Sequence, residues 1–407
     1  MTSGKETVFD GKDFTEALFL TAFSCYVIFF SLQTTAFTMA VPGVVYTVIR
    51  GVLFFCGLYR LYAWRSETGD LTGTALAALM GLGIFYLVAR RDTMVLDAAL
   101  VMAGAYRVSF KKIGAVYVFT GTFICLLALV CSQTGIIPDY TFLTNYGENE
   151  RLRHSFGIIY PTDFYAHITY LTATYFLIRW KRVTYLEIIG AGVIFAAAYY
   201  FTSARADMIG AALMIVLMLI CKIRNYGATK FPSKIRKVFL CALMPLCALV
   251  TAAITSLYDP GNAFMYRLDS VMSYRLSLGR TGMDLYGFKL LGNANFAENG
   301  NANGGVRDYT YVFYDSAYIK YLFKYGLILL AVLFFVYALI SLRLYSSKMQ
   351  YALVFTAVIT VSFMIEHHML ELSYNITLLL LTADISTILQ NGSYIKINNR
   401  NGIITRD

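Results

Sequence analysis

The chain has 407 residues, of which 58% are hydrophobic, 16% aromatic and 14% charged, with a mean hydropathy of +0.60. Soluble domains carry about 25% charged residues, so this composition excludes a soluble enzyme, a disordered tail and a peripheral membrane protein. The 34 Lys and Arg against 24 Asp and Glu leave a formal charge of +10, which in a membrane protein has first to be set against the positive-inside bias.

Residues 1–14 mix Lys5, Glu6, Asp10, Lys12 and Asp13 ahead of an apolar run, without the short core and small-residue cleavage site of a secretory signal. Apolar runs near the length of a spanning helix, about 20 residues, follow at 15–34, 40–59, 72–90, 93–107, 113–132, 162–179, 184–202, 207–222, 238–257, 317–341, 351–370 and 373–390. They predict an all-α polytopic membrane protein of about twelve transmembrane helices. The fourth run is short and contains Asp97. No internal repeat and no Ser/Pro-rich linker divides the chain, so residues 1–407 read as one membrane domain. Two polar segments stand apart from the short connections: 133–161, and 258–316, which is 59 residues long. In the second, apolar residues from Phe264 to Leu291 recur at helical spacing with Arg267, Arg275 and Arg280 interleaved, the pattern of a helix lying in the interface. The Gly/Asn-rich stretch 292–305 reads as a lid or crossover, and Tyr309, Tyr311, Tyr314 and Tyr318 follow it. Seven cysteines lie in or beside apolar runs with no CxxC pair, and read as buried small hydrophobes.

Orientation follows from Lys and Arg in the short connections. Segment 222–237 holds six basic residues and no acid, and Lys181, Arg182, Arg107, Lys111, Lys112, Arg343 and Lys348 fall on the same side in a twelve-span scheme. That side is the cytoplasm, with both termini inside. Twenty-one basic residues are then cytoplasmic and ten external, Arg90 and Arg91 among the latter as misfits. Nine of the ten are arginine. Arginine, with its planar fork, suits a phosphate geometrically, so the external set points to a lipid diphosphate; lipid headgroups or loop acids are the plainer partners.

All four histidines, His154, His167, His367 and His368, fall on that external side, where a general base near neutral pH would serve. No HExxH, CxxC pair or acidic triad accompanies them, so neither a metal nor a cofactor is expected. Ionisable residues within spans are functional by default. Of these Arg50 is the deepest and has two readings, a pair with Asp97 or a lining for a phosphate cavity; Glu187 and Asp384 lie near the cytoplasmic ends.

Four places carry a family resemblance. Arg153-His154-Ser155-Phe156-Gly157, Thr202-Ser203-Ala204-Arg205-Ala206, Ser277-Leu278-Gly279-Arg280 with Gly287 and Gly292, and Asp315-Ser316-Ala317-Tyr318 through Tyr325-Gly326, with Glu366 and Asn375 after them, resemble the motifs of Wzy-type polysaccharide repeat-unit polymerases. The closest likeness is to those of Gram-positive exopolysaccharide clusters. Where the family has His-Pro-Asn this chain has Tyr160-Pro161-Thr162, and Arg280 is one residue too far from Gly292 for the Arg-x10-Gly spacing of Gram-negative relatives.

The resemblance implies a fold similar to GT-C-type membrane glycosyltransferases. It also implies a metal-independent polymerisation of undecaprenyl-diphosphate-linked oligosaccharide units on the outer face. On that reading Arg205, Arg280, His154 and Glu366 are catalytic, the arginines stabilising the departing diphosphate. Arg151, Arg153, Arg275, Asp315, Tyr318 and His367 bind substrate, and His154 or Asp163 substitutes for the missing family histidine. Partners are the lipid-linked oligosaccharide, membrane lipid, and a flippase and chain-length regulator of the same pathway; nucleic acid is not among them. An O-antigen ligase shares the topology and differs in acceptor. A flippase for the same lipid would favour internal repeats and short outer loops.

Overall fold

In a bilayer every backbone N–H and C=O needs a partner within the protein, which makes helices the default for long apolar stretches. The computed structural model describes residues 11–37, 41–66, 69–146, 149–224, 234–300 and 312–389. It places helices at α1 (Gly11–Leu32), α2 (Gly43–Ala63), α3 (Asp70–Arg90), α4 (Met94–Gly104), α5 (Phe110–Gln133), α6 (Pro161–Arg179), α7 (Tyr185–Thr202) and α8 (Arg205–Ile223). These are followed by α9 (Lys234–Ser256), α10 (Ala263–Val271), α11 (Arg275–Tyr286), α12 (Ala317–Lys324), α13 (Gly326–Ser346), α14 (Gln350–Ser362) and α15 (Ser386–Leu389). Among the described residues eight helices, α1, α2, α3, α5, α7, α8, α9 and α13, are long and apolar enough to cross a membrane. Their outward faces expose large apolar side chains such as Phe55, Val88, Phe119, Leu186 and Leu249. A surface this apolar is one that lipid covers. The protein is a predominantly helical, polytopic membrane protein.

Of the other predicted spans, 162–179 is helical as α6 and 93–107 over the shorter α4, while the last three fold differently. The tenth, 317–341, is broken: α12 ends at Lys324, and Gly326, at φ +85°, starts α13. The break receives the loop before it, since Leu327 N–H donates to Lys289 O and Ile328 N–H to Leu290 O, both at 3.0 Å. Backbones cross here so closely that a Cβ on Gly326 would sit 2.2 Å from the nitrogen of Gly292. The eleventh run, 351–370, is helical only to Ser362. The twelfth, 373–390, is not a spanning helix but a 3-10 turn at Thr377–Leu381 followed by α15. Its leucines, Leu378 to Leu381, are buried among other helices, the condition under which irregular backbone survives at membrane depth. Its carbonyls are satisfied from outside. Arg107 N–H donates to Thr382 O at 3.0 Å, Phe110 N–H to Asp384 O at 2.9 Å, and the Arg343 guanidinium to the carbonyls of Leu380 at 2.7 Å and Ala383 at 2.8 Å.

Outside the spans, the all-α expectation misses an antiparallel hairpin, β1 (Thr141–Tyr146) and β2 (Asn149–His154), with Thr141 opposite His154. The single interfacial helix expected over 264–291 is two, α10 and α11, divided where Ser273 and Tyr274 take left-handed φ values of 59° and 66°. The Asp269 carboxylate holds this bend by accepting the N–H groups of Leu276 at 2.8 Å and Ser277 at 3.2 Å, an N-cap in function. Residues 225–233 of the basic segment and 301–311, with Tyr309 and Tyr311, lie outside the described residues.

Hydrogen bonds gather one end of the bundle around the hairpin. Ala36 N–H donates to Gly157 O and Ile159 N–H to Thr34 O, both at 2.8 Å. Arg153 Nε donates to Thr202 O, and Arg280 Nη1 to Ser256 O, both at 2.6 Å. This hairpin end carries the candidate site.

Candidate functional site at the hairpin end

Ionisable side chains are expelled from a membrane interior unless something holds them there, so a buried group of them marks a site. Here α6 opens with Pro161, whose ring suits the first helical position, and its first turns deliver Asp163 and His167 inward. The first turn of α8 brings Asp207. The irregular segment 363–376, which follows α14, supplies Glu366, His367, His368 and Glu371. Asp163, His167, Asp207, Glu366, His367 and His368 are all at most 9% exposed. Arg275 at the start of α11, Asp315 before α12 and Lys320 within it close the group from the third side.

The contacts fall into three parts. First, fixed ion pairs: Arg275 Nε lies 3.0 Å from Asp315 Oδ2, and Lys320 Nζ 2.9 Å from Glu298 Oε2. The charge of Arg275 also bears on Asp207 and Glu366, and that of Arg153 on Asp207. Second, a column of rings: Tyr374 stacks between His167 at 3.8 Å and His368 at 3.7 Å, and His367 adjoins His368 at 3.9 Å between centroids. Thr34 Oγ1, 3.0 Å from His167 Nε2, anchors the column to the end of α1. Third, a nest of carboxyls around His368: Glu371 Oε2 is 2.8 Å from its Nδ1, and Asp163 Oδ1 and Glu366 Oε2 are each 3.8 Å from its Nε2. Backbone support comes from α12, whose first N–H, on Ala317, reaches the carbonyls of Phe363 and Glu366 at 3.0 Å. Tyr321 Oη bridges His367 O at 3.1 Å and Leu370 N–H at 3.0 Å.

Beside this group lies a cavity of about 540 Å³ lined by Thr34, Arg90, Arg91, Asp92, Asp97 and Glu371, among others. A polar cavity of this size accommodates a small ligand or headgroup. Burial would raise the Asp92 carboxyl, but Lys324 Nζ at 2.7 Å, with hydrogen bonds from Met94 N–H and Tyr325 Oη, holds it below the ordinary carboxylate value. Of the two readings for Arg50 the geometry selects the pair. Its Nε and Nη2 fork onto Asp97 at 2.6 and 3.0 Å, and Nη2 also reaches Thr93 Oγ1 at 2.8 Å.

The fold brings together Glu366, His367, Arg275 and Asp315, and the charge of Arg153 reaches the same group. Arg205 stands at the first position of α8, two residues before Asp207. Tyr318 is buried with its hydroxyl on Thr360 O at 2.7 Å, a packing position. His154 pairs with Asp139 at 2.7 Å, and the other oxygen of Asp139 accepts the N–H groups of Ser155 and Phe156; the described contacts place it in the support of the hairpin. Arg280 joins α11 to the end of α9 through Ser256 O and pairs with Asp284 at 3.3 Å. The side chain of Arg151 lies outside the described residues.

Sequence reasoning passed over Asp207, Glu371, Tyr374 and the Lys320–Glu298 pair. Asp207 and Glu371 carried the ordinary signal of an acid within or beside an apolar run. Tyr374 is one aromatic among 32 tyrosines, and nothing local marks it. Comparison with protein-family models and with curated proteins finds no match for this chain.

Proposed function

We propose that the chain is a membrane glycosyltransferase that polymerises oligosaccharide units carried on undecaprenyl diphosphate, with the hairpin end facing outward and both termini in the cytoplasm of a bacterial plasma membrane. The observation that carries this reading is that the charges of Arg275 and Arg153 bear on the buried carboxyls, Arg275 on Glu366 and Asp207 and Arg153 on Asp207. Polymerisation makes two demands: negative charge on the leaving diphosphate has to be stabilised, and the attacking hydroxyl has to lose its proton. Fixed guanidiniums meet the first, and this electrostatic contribution is usually the largest in such chemistry. A carboxylate screened from water meets the second, and Glu366 is the acid placed for it. Of the Wzy-like motifs, Arg153 contributes charge to Asp207 and Asp315 pairs with Arg275, which supports this reading.

Purified protein in vesicles with lipid-linked oligosaccharide should yield a polymer ladder, and Arg275→Lys should lower its rate by about 100-fold or more. Lipid translocation without polymer would replace this reading by a flippase, and single transfer to a lipid acceptor by a ligase.

A further inference from the structure

We infer that Asp163, His367 and His368 form a binding site for one divalent transition-metal ion, which pins the irregular segment 363–376 to α6. One donor atom from each residue lies within 4.8 Å of the other two. His368 carries the strongest indication. It is 1% exposed, and its Nε2 is buried with no hydrogen-bond partner. That nitrogen faces Asp163 Oδ1 and Glu366 Oε2 at 3.8 Å each. These separations are too long for hydrogen bonds. The His368–Asp163 separation is within the about 4.2 Å that two donors each about 2.0–2.1 Å from one ion can span, and His367, whose donor lies within 4.8 Å of both, joins them with a small movement of its side chain.

The surroundings agree. Glu371 Oε2, 2.8 Å from His368 Nδ1, is the carboxylate that ligating histidines commonly hold on their other nitrogen, fixing the tautomer that leaves Nε2 free to bind. Imidazole with carboxylate suits zinc, manganese, iron or cobalt rather than magnesium or calcium. The inference is independent of glycosyl transfer, since metal binding is measured without a substrate.

The test uses the full chain in detergent, stripped with a chelator, equilibrated with cobalt(II) at micromolar free concentration and gel-filtered. The expected result is about one cobalt per chain with visible d–d absorption, and a rise in unfolding temperature on binding. His368→Gln and Asp163→Asn should lose the absorption bands. Glu371→Gln should weaken binding by about 10–100-fold, while His154→Gln leaves it unchanged. If His368→Gln does not fold, Asp163→Asn and Glu371→Gln carry the comparison. Failure of the wild-type chain to retain cobalt, zinc or manganese would overturn the inference. Equal retention by wild type and Asp163→Asn would also overturn it.

Discussion

The Arg50–Asp97 pair shows what a single residue can decide inside a membrane. The Asp97 side chain is 2% exposed and the Arg50 side chain 24%. Removing one partner strands the other, and that costs roughly 3–5 kcal/mol in a buried pair. Arg50→Ala should therefore lower the unfolding temperature in detergent sharply, while Arg50→Met combined with Asp97→Leu restores most of it; equal loss in both variants would show that packing rather than charge is at stake. The Asp92 carboxyl gives a pH signature. Its folded value lies below the unfolded one, so its contribution is fully present above the unfolded carboxylate value and is lost as pH falls through the folded value. A melting series from pH 7 downward should show a loss of stability that Asp92→Asn flattens. The sequence alone offered Asp97 as a partner for Arg50, since opposite charges in neighbouring runs have few other partners. Asp163 and His368 are far apart along the chain, and no spacing rule joins them.

Elements were legible where one rule sufficed. Apolar length located α1, α2, α3, α5, α7, α8 and α9, because a segment facing lipid has to be both long and apolar. The same rule misread 373–390, since hydropathy does not distinguish a leucine that faces lipid from one buried against protein. It misread 317–341 for a different reason: eight residues of α12 and the start of α13 are continuous in composition, and only Tyr325-Gly326 marks the break. The crossing at that break makes a local prediction. Gly326→Ala introduces both left-handed strain and a contact with the Gly292 backbone, and should cost more than about 2 kcal/mol, read as lower melting temperature and yield. Gly190→Ala in α7, where nothing lies within 4 Å of the added carbon, should change stability by no more than about 0.5 kcal/mol.

For the whole molecule, the placement of charge led to the expectation of a site on one side, and the described buried ionisable group lies at the hairpin end. What it did not foretell is that the arginines divide their work. Arg275 faces the buried acids, while Arg280 holds a backbone carbonyl and Arg90 reaches those of Lys324 and Leu291. Counting outward arginines thus located an end rather than a site. The proposed orientation is open to direct measurement. A membrane-impermeant maleimide applied to intact cells should label Asp284→Cys and leave Lys348→Cys unlabelled until the membrane is opened; the reverse pattern would invert the topology.

The segment 363–385 is synthesised after every helix it packs against, yet it supplies Glu366, His367, His368 and Glu371. Its carbonyls depend on donors from Arg107, Phe110 and Arg343, which are already in the bilayer when it leaves the ribosome. The earlier helices must therefore assemble around an open slot that this last stretch fills. A chain truncated after Asn375 keeps the connection after α14 but lacks the 3-10 turn that follows it, and a protease site placed in that connection should be cut readily in the truncated chain and resist cutting in the full-length one.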